Sequence, residues 1–147
     1  MRRARGNFFH RHSLSIITAV VLLGWTLLYV FADPSTHWGS FYGNAIADWT
    51  GLLVAVLATK FLYEKGSAES RNPSREPVRP ILRALNDHSL TVFLVITGMM
   101  WIALFAKMDA NSKWGQVVGN IVSEWTQLAG TVLLTKKFLE RGSKESR

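Results

Sequence analysis

The chain has 147 residues, 48% of them hydrophobic and 18% charged, with a formal net charge of +7. It holds no cysteine, which excludes a disulfide framework and any thiolate metal site. A basic soluble chain would raise nucleic acid as a partner. Here the charges lie between and outside four apolar runs, so the expected partner is a lipid bilayer and no nucleic acid is expected.

The first eleven residues carry Arg2, Arg3, Arg5 and Arg11. The apolar runs follow at 14–32, 38–63, 90–106 and 114–139. A spanning helix needs roughly 20 mostly apolar residues, and all four runs are near or above that. The first run is too long for a signal-peptide core and ends without a small-x-small cleavage site. Ser13 and Ser89 are placed to cap the first helix of each half.

Shifted by 76 positions, the chain matches itself without a gap, with 23 identities over the 60 positions of 12–71 against 88–147. Each unit holds two helices, so both units enter and leave on one face. They are parallel repeats about an axis along the membrane normal. The fold expected is all-α: a four-transmembrane-helix bundle built from two tandem helical hairpins. Residues 1–71 form the first unit with its basic segment, 72–87 a cytoplasmic linker and 88–147 the second unit.

Asp33-Pro34-Ser35-Thr36 and Asp109-Ala110-Asn111-Ser112 read as turns rich in N-cap residues. The second helix of each unit can start at this turn, near Thr36 and Ser112, or later, near Asn44 and Asn120. The early start is favoured, because it gives a tight hairpin and brings Gly39, Gly43 and Gly51, and Gly115 and Gly119, into a small-residue register that lets helix backbones approach. Lys60 and Lys65, or Lys136, Lys137 and Arg141, then suit the C-terminal dipole, and Gly66 and Gly142 read as helix stops. In the linker, Val78, Ile81, Leu82 and Leu85 alternate with Arg79 and Arg83, which fits either a short interfacial helix or a plain connector. Fifteen Lys and Arg lie in the N-terminus, linker and tail and two in the opposite turns. The positive-inside rule therefore puts both termini in the cytoplasm, in the inner membrane of a cell.

Asp48 and Glu124 fall at equivalent, central positions of the second helices. An acid at a helix centre costs about 2.5–3.5 kcal/mol on insertion scales, so the pair is expected to face the bundle interior. Asn44, Asn120, Ser123 and Gln127 share their helical face. Read structurally, these groups are interhelical hydrogen-bond glue, worth about 0.6–2 kcal/mol a contact. Read functionally, they form a polar stripe able to pass protons or a small cation. Trp38 and Trp114 sit where an outer aromatic belt belongs, and Trp49 and Trp125 are placed to shield the acids. His12 and His88 are equivalent and could in principle ligate a haem or pigment, though interfacial residues are the plainer reading.

The stretch Asn120-Ile-Val-Ser-Glu-Trp-Thr-Gln127, the following Val132-Leu-Leu-Thr135 and the ending Gly142-Ser-Lys-Glu-Ser-Arg147 resemble a family of small bacterial multi-pass membrane proteins. That family shows an Asn-x-x-Ser-Glu-aromatic-x-Gln stretch and a Gly-Ser-x-Glu-Ser-basic ending. The resemblance implies Asn120, Ser123, Glu124 and Gln127 as shared polar positions and no assigned activity. The first unit departs from it, with Ala47, Asp48 and Gly51 at the serine, acid and glutamine places.

No nucleotide loop, nucleophile–base arrangement or metal spacing is present in the sequence. The expected function is therefore non-enzymatic and cofactor-free: an integral membrane protein built for helix packing, as a homo-oligomer or beside a membrane-protein partner. The alternative is a small proton or cation channel or transporter using the acidic pair. A haem or pigment binder is the weaker third reading.

Overall fold

The computed structural model describes residues 8–69 and 80–138. Six helices appear in this order: α1 Phe8–Arg11, α2 Ser13–Phe31, α3 His37–Phe61, α4 Pro80–Asp87, α5 Ser89–Lys107 and α6 Lys113–Leu134. Among the described residues there is no strand. Helices α2 and α3 form one hairpin and α5 and α6 the other, and the hairpins pack through α3 against α6.

The hairpin turns show why the early helix start holds. Asp33 Oδ1 accepts from the Ser35 N–H at 2.9 Å and from its hydroxyl at 2.7 Å, folding the chain back. Those two bonds hold the Asp33 carboxyl below the usual carboxylate range. Thr36 then caps α3, its hydroxyl accepting from the Gly39 N–H at 3.0 Å. The second turn repeats the design. Asp109 Oδ1 accepts from the Asn111 N–H at 2.9 Å, and Ser112 caps α6 through the Gly115 N–H at 3.0 Å. A Cβ on Gly39 or Gly115 would collide with the Asp33 or Asp109 carbonyl oxygen.

Other ends differ from expectation. His12 and His88, not the serines, hold the N-cap positions, and neither makes a side-chain cap bond. The Ser89 hydroxyl instead accepts from the Tyr63 N–H at 2.8 Å and donates to the Tyr63 carbonyl at 3.1 Å. Helix α3 ends at Phe61, before Gly66, and residues 62–64 run on without helix. Gly66 serves a later turn at φ +84°, where a side chain would be strained. Gly142 lies outside the described residues, as do the termini and the first half of the linker.

Three helices, α2, α3 and α5, are long and apolar enough to cross a membrane. Helix α6 has the length, at 22 residues, but is not among them. Gln116, Asn120, Ser123, Glu124, Thr126, Gln127 and Thr131 dilute its apolar content. The core is narrow. Ile46, Ala47 and Ala58 of α3 meet Val117, Ile121, Trp125 and Val132 of α6, with Tyr29 closing one end and Leu90 and Leu94 the other. Helices α2 and α5 leave most of their apolar side chains exposed, including Val20, Leu23 and Leu27 on α2 and Val95, Ile96 and Met99 on α5. That is the reverse of a soluble bundle, where exposed apolar patches stay small.

Candidate functional site: the α3–α6 seam

The seam pairs equivalent residues. The Asn120 amide donates to the Asn44 side-chain oxygen at 2.5 Å. One turn on, the Asp48 and Glu124 carboxyls lie beside each other. Gly51 makes the room: a Cβ there would lie 3.3 Å from Glu124 Oε2. Glu124, the longer acid, reaches across toward α3 over the missing side chain. The first-unit departures thus form a matched set, with the shorter acid at Asp48 and Gly51 next to it.

The pair does not face a closed interior, contrary to expectation. Asp48, Asn44, Ser123 and Gln127 are exposed, and Glu124 and Asn120 are half-buried. The reason is competition between neighbouring stripes. Ala45, Ile46 and Ala47 on α3, with Val117, Val118 and Ile121 on α6, take the buried side. The polar stripe is left along an open edge of the seam.

The glycines do not line one helix–helix contact either. Gly39 and Gly115 receive their own turns, Gly43 receives the ring of Tyr29 and Gly119 the ring of Phe105. Only Gly51 opens onto the opposite hairpin's helix. Trp38 and Trp114 are exposed at the turn end, Trp38 stacked on Tyr42 and Trp114 edge-on to Tyr29. Trp125 is not a shield for Glu124. It is buried, donates to the Thr97 hydroxyl at 2.8 Å and packs on Trp101.

Below the acids, a cavity of about 200 Å³ opens between α3, α5 and α6. Thr59, Gln127, Thr131 and Glu69 supply its polar wall; Ala55, Ala58, Leu90, Leu94, Leu128 and Val132 supply the rest. Beyond it Thr135 and Ser67 share a hydrogen bond of 3.0 Å.

A second polar centre escaped the sequence reading. Glu64, with 0% of its side chain exposed, binds the Lys136 ammonium directly and His88 Nδ1 at 2.7 Å, and accepts the Thr91 N–H at 3.2 Å. Burial pushes this carboxyl up, but Lys136, Thr91 and His88 outweigh it and hold it at about 2. His12 Nδ1 lies 3.0 Å from Lys60 Nζ at the same end of the molecule. The signal was present in the repeat: Glu64, Lys60 and His12 recur as Glu140, Lys136 and His88. Among the described residues no group of three or more His, Cys, Asp or Glu is placed to hold a metal ion.

An all-helical chain with three helices fit to span, and its apolar side chains turned outward, has the make-up of a helical membrane protein. No protein-family model, curated protein or solved structure matches the chain.

Proposed function

We propose that the protein is a non-enzymatic, four-span integral membrane protein of the cytoplasmic membrane, built from two repeated hairpins, whose α3–α6 seam is an assembly surface for a second copy. Both termini lie on the basic, cytoplasmic side, and α6 serves as the fourth span despite its polar stripe. The resemblance to small bacterial multi-pass proteins belongs to this reading. The observation that carries it is the open edge bearing Asn44, Asp48, Ser123 and Gln127. Facing acyl chains, each carboxyl there costs about 2.5–3.5 kcal/mol on insertion scales. A second copy presenting the same edge offers amides and carboxyls to bond, and such an isologous contact closes as a dimer.

The absence of native cysteine makes the test clean. A single cysteine at Ser123 is expected to cross-link two copies in native membranes, whereas one at Val20 on α2 is not. Asp48→Asn with Glu124→Gln is expected to weaken the Ser123 cross-link. A protein that stays monomeric in nanodiscs, with no cross-link at Ser123, overturns this function.

One observation favours a second reading. The cavity below the acids has room for about six waters at roughly 30 Å³ each. Gln127 and Thr131 line it, one turn apart on α6, with Glu124 a turn before them and Thr135 a turn after, at the C-cap. A proton or small cation could follow that ladder, through the acidic pair, across the membrane. Proton flux into liposomes that the double acid variant abolishes would carry this reading; the same flux from both proteins would remove it.

A further inference from the structure

Helix α4 is turned inside out. It runs Pro80–Asp87 with the sequence PILRALND, and none of its residues is buried. Ile81 is 77% exposed, Leu82 50% and Leu85 55%. At 100° per residue these three occupy one arc, while Arg83 and Asp87 lie on the far side. The polar C-terminal residues turn toward the protein. Asp87 takes the Lys65 N–H on its carbonyl at 2.7 Å and lies 3.9 Å from the Lys65 ammonium with its carboxylate. The Asn86 amide nitrogen is buried. A connector in water would place these groups the other way round.

Its position says what covers the apolar arc. Helix α4 leads directly into α5, at the end where α2 begins and α3 and α6 finish, as the His12–Lys60 and Glu64–Lys136–His88 contacts show. On that side the sequence carries fifteen Lys and Arg against six Asp and Glu, while the opposite turns carry two of each. An apolar arc beside an excess of cations, level with the ends of spanning helices, fits one surface: the headgroup boundary of an anionic leaflet.

We propose that α4 is an interfacial helix that docks on anionic lipid, with Ile81, Leu82 and Leu85 in the acyl boundary and Arg83 among the headgroups. It anchors the junction between the two hairpins to the membrane surface. This rests on the membrane reading above, but not on the assembly of two copies.

Spin labels on single cysteines at Ile81, Leu82, Leu85 and Arg83, with Val20 on α2 as a reference, test it in the full chain. The protein is placed in nanodiscs of phosphatidylglycerol or of phosphatidylcholine, and relaxation by oxygen is compared with relaxation by a water-soluble nickel chelate. In phosphatidylglycerol, labels at 81, 82 and 85 are expected to favour oxygen several-fold, and the label at Arg83 to favour nickel. In phosphatidylcholine that preference is expected to fall. Nickel-accessible labels at 81, 82 and 85 beside a lipid-buried Val20 label overturn the docking and leave the membrane reading standing. A nickel-accessible Val20 label overturns both. Labels at 81, 82 and 85 shielded from both relaxants mean that protein covers the arc, and also overturn it. Equal burial in the two lipids overturns the anionic selectivity.

Discussion

Replacing Glu64 by glutamine tests the end of the structure opposite the hairpin turns most directly. The side chain lies wholly out of solvent, between the Lys136 ammonium and His88, beyond the last turn of α3. Its carboxyl is held at about 2 against an ordinary 4.5. At 1.36 kcal/mol per pKa unit this corresponds to roughly 3 kcal/mol of folding stability at neutral pH. The folded value is the lower one, so the contribution is complete above the unfolded pKa near 4.5. It disappears as the pH falls toward 2. Glutamine at this place leaves Lys136 charged and without its anion, and breaking a buried pair from one side typically costs about 3–5 kcal/mol. Equilibrium unfolding in mixed micelles, followed by the fluorescence of the six tryptophans, reads both effects. Wild type is expected to lose stability between pH 5 and 2, following the titration of Glu64. Glu64→Gln is expected to start about 3 kcal/mol lower at pH 7 and to run flatter with acid. A variant within about 0.5 kcal/mol of wild type at pH 7 would refute the reasoning, because surface pairs are worth no more than that order.

Three further outcomes are expected from the same unfolding measurement. Tyr29→Phe removes the hydroxyl that donates to the Lys113 carbonyl at 2.6 Å and should cost about 1 kcal/mol. Gly115→Ala should destabilise by several kcal/mol, since its Cβ meets the Asp109 carbonyl, whereas Gly130→Ala, with nothing within 4 Å, should be neutral or stabilising by about 0.5–1 kcal/mol. Thr97→Val takes the acceptor from the buried Trp125 indole and should cost about 1–3 kcal/mol, with a shift in tryptophan emission.

How much of this was legible in the chain depends on the range of the interaction. The turns were readable because Asp33 to Gly39 and Asp109 to Gly115 settle their hydrogen bonds within seven residues. The early start of α3 and α6 follows from those bonds. The meeting of Asp48 with Glu124 was also readable, since they hold matching positions in the second helix of each hairpin and those helices pack together. The openness of the seam was not. It turns on whether Ala45-Ile46-Ala47 or the adjacent polar stripe wins the interior, a comparison that needs the opposite helix. The glycine register misled for the same reason. Spacing shows that small residues share a face, but the occupant is a turn carbonyl, an aromatic ring or an acid, depending on depth. Glu64 was missed because its partners lie at the start of α5 and just past the end of α6, reached only when the chain after Leu62 folds back on Ser89.

The two hairpins are equal in plan but not in chemistry, and the differences give their pairing a direction. Tyr29 reaches from the first hairpin to the Lys113 carbonyl of the second, and the Lys113 ammonium returns to the Ala32 carbonyl at 2.6 Å and lies over the Tyr29 ring. The reciprocal contact cannot form in the same way, since Phe105 has no hydroxyl and His37 replaces the lysine. At the other end Glu64 of the first hairpin enters the second between His88 and Lys136. In the middle Glu124 crosses over Gly51, while the matching place on α6 is filled by Gln127. Two copies of one hairpin would lack at least one partner at the turn end and at the seam. Pairing of two like hairpins is therefore disfavoured against pairing of the two unlike ones. The exposed edge of the seam, with its acids and amides, is where the proposed second copy would meet it.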